Sequence, residues 1–493
     1  VINPRRLIVF LLFVFLVGCD GFPQWIWKEK PLLERIKESG KLKVLTRYDP
    51  TTYYEGPEGF TGLEYDLVRL FAKHLGVEVE FIVPYSFDQI LSLISGGEAH
   101  IAAAGLTITE KRKQNMRFSL PYRRITEQLI YRSGTKRPKE LTDLSDGILE
   151  VVNGSSHLGT LRSLKHQIPE LDWNINTELS SYALLSLVNQ GLIDYTIADS
   201  NQVLLIRRFY PKLYVAFDIS EPRHLAWALP KSSDDSLYNI TLEFFRTIKT
   251  DKTLDQLIER HYGHAGSLSY VGNCTFREHV IKRLPVYQTL FEQAGIEHGL
   301  DWRLLAAIGY QESHWRKNAV SPTGVRGIMM LTRKTAKQLG IRDRSNPVES
   351  IKGGARYFVQ RKKTIPQRIL EPDQTWMALA AYNVGYGHLE DARILTASRG
   401  GNPDKWMDVK ESLPLLSSKK WYRKTKHGYA RGMEPVVYVE NIRNYYDLLV
   451  WLTDNDGLQI QAPESNVKEA VDSISNRSSE QIRTELDQKR MAL

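Results

Sequence analysis

Glu312 is the residue in this chain best placed to do acid chemistry. The segment from Asp301 to Trp315 reads as a helix, with Leu304, Ile308 and Trp315 recurring on one apolar face. Glu312 falls on that face, four residues after Ile308 and three before Trp315. Apolar surroundings disfavour the carboxylate and raise its pKa. A carboxyl that stays protonated near neutral pH is what a general acid requires. The plainer reading is a helix-end glutamate that turns to solvent or pairs with Arg316 or Lys317. The helix alone does not choose between them.

The residues downstream do. Ser321-Pro322-Thr323-Gly324-Val325-Arg326-Gly327-Ile328-Met329-Met330 carries two glycines three apart, which let the backbone turn tightly and approach a ligand, followed by a pliable apolar Met pair. Ala380-Ala381-Tyr382-Asn383-Val384-Gly385-Tyr386-Gly387 offers a ring and an amide able to hydrogen-bond an N-acetyl group, although its glycines also suit a helix C-terminus. Tyr438-Val439-Glu440-Asn441-Ile442 adds an aromatic hydroxyl on a helix. Singly, each is compatible with core packing.

In this order, Glu-Ser-x-Trp, Ser-Pro-x-Gly-x-x-Gly-x-Met, Ala-Tyr-Asn-x-Gly and Tyr-Val-x-Asn-Ile, the motifs resemble the soluble lytic transglycosylase family over roughly 284–452. The resemblance implies a goose-lysozyme-like helical fold and peptidoglycan as substrate. It also implies non-hydrolytic cleavage of the β-1,4 bond between N-acetylmuramic acid and N-acetylglucosamine, leaving 1,6-anhydro ends. Carried over residue by residue, it makes Glu312 the catalytic acid, with Ser313, Met329, Met330, Tyr382, Asn383 and Tyr438 binding substrate. Met330 stands where many relatives carry Gln. No cofactor and no metal are implied. Two other readings stay open. One is a hydrolytic, lysozyme-type enzyme on the same fold, which would need a second carboxylate. The other is a non-enzymatic receptor with a degenerate second domain.

Upstream, from Leu42 to about Gly263, short β-rich runs (Leu42–Thr46, Val77–Val83, His100–Ala104, Asp194–Ala198) alternate with helical stretches (Tyr65–Leu75, Ser86–Ile94). That alternation predicts an α/β domain with largely parallel sheets. Gly105-Leu106-Thr107-Ile108-Thr109-Glu110-Lys111-Arg112, followed by Phe118-Ser119-Leu120-Pro121-Tyr122, resembles the bacterial extracellular solute-binding proteins, as does Gly62-Leu63-Glu64-Tyr65-Asp66-Leu67. The resemblance implies a ligand cleft in which Arg112 clamps a carboxylate through its bidentate fork. Thr107, Ser155 and Ser156 would help to hold that carboxylate, and Asp199 would pair with an amino group. Gly105 departs from the hydroxyl residue common there, which leaves ligand identity open. Muropeptides or stem peptides fit, because they carry free carboxylates and amines.

The expected fold is therefore an α/β two-lobed periplasmic-binding-protein-like domain (42–263), a linker (264–283) and a mainly α lysozyme-like domain (284–455). The polar segment 456–493 lacks aromatics and is expected to have no fold of its own. A length of 493 residues fits two to three domains. The net charge of +9 favours an anionic partner such as nucleic acid, anionic lipid or cell wall. No zinc-finger spacing, Walker loop or dinucleotide fingerprint is present, which argues against nucleic acid and nucleotides.

At the N-terminus, Arg5-Arg6 precedes an apolar run, Leu7–Gly18, too short to span a bilayer but suited to a signal-peptide core (1–18). Leu16-Val17-Gly18-Cys19 resembles a bacterial lipobox, which implies lipidation of Cys19, a tether over 19–41 and attachment to a membrane facing the periplasm. The family resemblance favours the outer membrane, whereas Asp20 suits retention at the inner one. With Cys19 so used, Cys274 has no partner for an intramolecular disulfide, and its place between domains does not suit a catalytic thiol.

Overall fold

A computed structural model describes residues 30–57, 59–266 and 270–454. Cys19, the signal and tether segments before residue 30 and the polar segment 456–493 lie outside the described residues.

The first body has two lobes, each built on one sheet. In the first lobe the strand order is Glu78–Ile82, Lys41–Leu45, Ile101–Thr107, Arg223–Pro230 and Met116–Phe118, with Arg123–Ile125 also pairing Arg223–Pro230. In the second it is Asn174–Asn176, Leu149–Val152, Tyr195–Asp199, Glu127–Arg132 and Leu213–Asp218. The expectation of largely parallel sheets holds for only part of each. Three neighbouring strands run parallel in either lobe, but Arg223–Pro230, Glu127–Arg132 and Leu213–Asp218 run antiparallel. The chain passes between lobes through 126 and again through 219–222. There Thr126 N–H donates to Ser200 Oγ (3.1 Å) and Glu127 N–H to Ser220 Oγ (3.0 Å). Helix Leu63–Leu75 shows why the helices dock: Leu63, Leu67, Phe71 and Leu75, four residues apart, form one buried stripe.

The second body is helical, and its core includes Ile308, Met329, Phe358, Met377, Trp406 and Leu448. The long helix Met433–Asp454 packs against Trp302–Ser313 and Asp373–Val384. The segment expected to be a linker is instead largely helical. Tyr270–Lys282 is a helix, and its Phe276 is fully buried against Tyr310 and Tyr445 in the second core. A helix here removes apolar surface that a solvated linker would leave exposed. Cys274 sits half-buried on it.

A buried polar knot joins the two bodies. Arg208 of the second lobe donates to Asp447 (2.6 Å), which also meets His264 Nε2 at 2.7 Å, while Asn444 Nδ2 donates to the His264 carbonyl at 2.7 Å. Burial, with Arg443 beside it, pulls the His264 imidazole down to about 3, so it sits there neutral. Arg443 caps the end of helix Thr253–Tyr262 by donating to the carbonyls of Glu259 (3.1 Å) and Arg260 (2.8 Å). Phe209 stacks on Trp451, ring centroids 5.5 Å apart. Asn444, Asp447 and Trp451 all lie on Met433–Asp454, the helix that also carries Tyr438.

Candidate active site

The helix that carries Glu312 runs Trp302–Ser313, started by Asp301, whose side chain accepts from Arg303 N–H. It stops two residues short of Trp315, which therefore does not extend the apolar stripe. His314 and Trp315 instead adopt left-handed φ of 52° and 55°. Two consecutive non-glycine residues in that region cost about 1–2 kcal/mol each. The turn is held by the fully buried Trp315 ring, whose Nε1–H donates to Ala306 O (2.8 Å), and by Arg283 donating to His314 O (2.9 Å). Glu312, in the last turn before this bend, is half-buried. Its carboxyl makes no bond to Arg316 or Lys317; Tyr438 Oη donates to its Oε1 at 2.6 Å.

Burial pushes the Glu312 carboxyl up to about 7, against the opposing pull of the Tyr438 hydrogen bond. No second carboxyl among the described residues acts on it. Tyr438 is itself buried and held far above an ordinary phenol by burial and by Glu312, so it remains a donor. Tyr382 stacks on Tyr438 at 6.4 Å and meets Tyr357 edge-on at 5.0 Å. The acid thus has a wall of tyrosines behind it.

The other expected substrate contacts divide. Ser313 is buried, and its hydroxyl bonds to Gly309 O (3.1 Å) and Ile328 O (2.8 Å). It ties the end of this helix to the glycine-rich loop and is turned inward. Met329 is fully buried and makes no sugar surface: its side chain packs on Gly309 and Gly354, and its carbonyl accepts from Tyr382 Oη (3.0 Å). Tyr382 is therefore a support beneath the site and not a stacking platform. Met330, half-buried with φ of 44°, and Asn383, exposed at the end of helix Asp373–Val384, remain open to a ligand. Gly327 has a plain steric cause: at φ 88° an added Cβ would lie 1.9 Å from Arg344 O.

The two-lobed body has its own cleft, lined by Thr107, Arg112, Ser155, Ser156 and Asp199 with Arg47. Here the structure brings together the residues expected to hold a ligand, but they are closed upon one another. Arg112 donates to Thr107 O (2.8 Å) and across the lobes to Gly154 O (3.0 Å); burial draws its pKa down to about 10. Ser156 Oγ reaches Thr107 Oγ1 at 3.3 Å and donates to Glu127 at 2.6 Å. Ser155 Oγ turns away to Val152 O (2.7 Å). Asp199 meets His157 Nε2 at 3.1 Å. Sequence reading passed over Glu127 and His157; both are buried, a state unusual enough for charged side chains to flag a cleft.

Known proteins decide the lineage. Residues 41–264 match the model for bacterial extracellular solute-binding proteins, family 3, and residues 289–404 match the transglycosylase SLT domain. A membrane-bound lytic murein transglycosylase F from Saccharophagus degradans is 49% identical over 91% of this chain and 92% of its own length. The chain belongs to that family. A second member, membrane-bound lytic murein transglycosylase F 1 from Alkalilimnicola ehrlichii, is also 49% identical, over 88% of each chain. Among solved structures, an ancestral amino acid-binding protein, a precursor of cyclohexadienyl dehydratase, is 26% identical over 47% of this chain and 99% of its own, with TM-score 0.42. The family name includes membrane attachment, and among the described residues no helix is long and apolar enough to cross a membrane.

Proposed function

We propose that Glu312 serves this peptidoglycan lytic transglycosylase as its single acid and base. The observation that carries the reading is a half-buried carboxyl poised near 7, with one tyrosine donor and no acidic neighbour acting on it. Protonated Glu312 gives its proton to the glycosidic oxygen as the bond to muramoyl C1 breaks. The substrate's own N-acetyl group stabilises the oxocarbenium-like charge. Glu312, now a carboxylate supported by Tyr438, takes the proton of the muramoyl 6-hydroxyl, whose oxygen closes on C1. The carboxyl ends as it began and no water is consumed. Met330 and Asn383 are the expected residues that remain exposed enough to contact sugar.

The pH profile tests this. The acid form works first, so kcat/KM falls about tenfold per pH unit above roughly 7 and levels off below it. A second essential carboxylate would instead add an acidic limb. In Tyr438→Phe the hydrogen bond that favours the carboxylate is gone, so the limb moves to higher pH, and the rate drops about ten- to a hundredfold. An unmoved limb would show that Tyr438 does not act on Glu312.

For the first body we infer a regulatory role, supported by its solute-binding fold and by the helix Met433–Asp454 shared between the domain knot and Tyr438. A ligand carboxylate, as on a muropeptide or stem peptide, would take Arg112 from the Gly154 carbonyl and so act on lobe closure. The ratio of cleavage rates with and without added muropeptide should fall to one in Arg112→Ala; a ratio equal to wild type would exclude this site. Lipid attachment through Cys19 would hold the enzyme on a periplasmic face, the outer membrane being the reading the family supports and Asp20 the feature that opposes it. Density fractionation of the two membranes separates these.

A further inference from the structure

The strongest charged feature outside the site lies at 419–431, Lys-Lys-Trp-Tyr-Arg-Lys-Thr-Lys-His-Gly-Tyr-Ala-Arg. Six cations stand there against no acid, in a chain whose total excess is nine. All six, Lys419, Lys420, Arg423, Lys424, Lys426 and Arg431, are exposed. Arg431 pairs with Glu434 (3.2 Å); among the described residues the other five have no acidic partner. The segment is nevertheless firmly held. Buried Asp391 accepts from the backbone N–H of Lys426 (3.1 Å) and of His427 (2.8 Å), which leaves the lysine side chains outward. Trp421 holds Lys420 and Lys424 near its ring, at 5.7 and 5.6 Å, and Tyr422 meets Tyr429 edge-on. Clustering like charges without counter-charges creates a local positive potential that draws anions.

Position says which anion. The His427 ring packs so closely on Gly387 that an added Cβ there would lie 2.8 Å from it, and Gly387 is four residues after Asn383. On its other side the segment, with Tyr429 exposed, runs into helix Met433–Asp454, where Met433 and Val437 are exposed and Tyr438 reaches Glu312. The basic stretch therefore forms a rim continuous with two of the motifs at the acid. Joined in this way to the motifs around Glu312, the rim suits an acidic substituent of the glycan more directly than a lipid surface.

We propose that residues 419–431 are a substrate subsite that binds the carboxylates of peptide stems on the glycan, so that this enzyme favours peptide-bearing over naked strands. The proposal rests on the transglycosylase reading of Glu312 and deepens it. The test uses the full chain on intact sacculi and on sacculi stripped of stems by an amidase. Wild type should show kcat/KM about tenfold higher on intact wall, an advantage that shrinks with added salt. With Lys419→Gln, Lys420→Gln, Lys424→Gln and Lys426→Gln combined, the ratio should collapse to about one. An undiminished ratio in the variant, or no preference in wild type, would overturn the proposal. So would loss of binding to phosphatidylglycerol vesicles with the wall preference intact, which would assign the rim to a membrane. Co-sedimentation of Glu312→Gln protein, with and without the lysine changes, repeats the comparison without turnover. If wild type made no anhydro ends, the reading of Glu312 would fail while sedimentation still decided the stem subsite.

Discussion

Glu312→Gln is expected to lower kcat/KM on peptidoglycan by about a thousandfold, within the usual range for loss of a general acid. The amide is nearly isosteric and can still accept from Tyr438, so folding and wall binding should survive. The half-burial that raises this carboxyl makes a neutral replacement acceptable to its surroundings. The rate loss is accordingly a matter of proton transfer. Melting temperature and co-sedimentation with sacculi, measured beside the rate, separate this from unfolding. Undiminished cleavage would remove Glu312 from the mechanism.

Asp447→Ala carries the largest expected loss of stability. Its carboxylate receives Arg208 at 2.6 Å and His264 at 2.7 Å, and these partners hold it far below the usual carboxylate range although burial works against its charge. Removing it leaves the Arg208 guanidinium, whose side chain is only 9% exposed, without its carboxylate partner. Breaking a buried pair in this way costs about 3 kcal/mol, toward the low end because the Asp447 side chain keeps 32% of its surface in contact with solvent. Chemical denaturation should show the joint between the bodies loosening before either core melts. A single transition with unchanged midpoint would mean that the knot adds nothing. Because Tyr438 lies nine residues before Asp447 on the same helix, the variant should also blunt any response of cleavage to ligands of the first body.

Much of this was legible in the residues. The alternating runs located the first body, and the order of four short motifs singled out Glu312 and Tyr438, which the structure brings within 2.6 Å. Less legible was the direction of each neighbouring side chain. The helix Trp302–Ser313 is buried continuously from Leu305 to Tyr310, so the apolar period that should mark one face is blurred. That is why Trp315 looked like its continuation and why inward-facing Ser313 and Met329 looked available to substrate. Tyr270–Lys282 read as a linker because its glycine and polar residues hide one anchoring aromatic, Phe276. The knot of Arg208, His264, Asn444 and Asp447 has no sequence signature, since each residue alone resembles surface. The basic run at 419–431 is plain in the sequence, but its place beside the acid depends on how His427 packs against Gly387.

The central claim, one carboxyl acting first as acid and then as base on the substrate's own hydroxyl, is tested most directly by digesting sacculi in heavy-oxygen water and weighing the muropeptide products. The expected products are 1,6-anhydro-muramoyl ends with no heavy oxygen incorporated at the cleaved bond. Reducing muramic acid ends carrying one heavy oxygen would contradict it, because water and not the 6-hydroxyl would then have been the nucleophile.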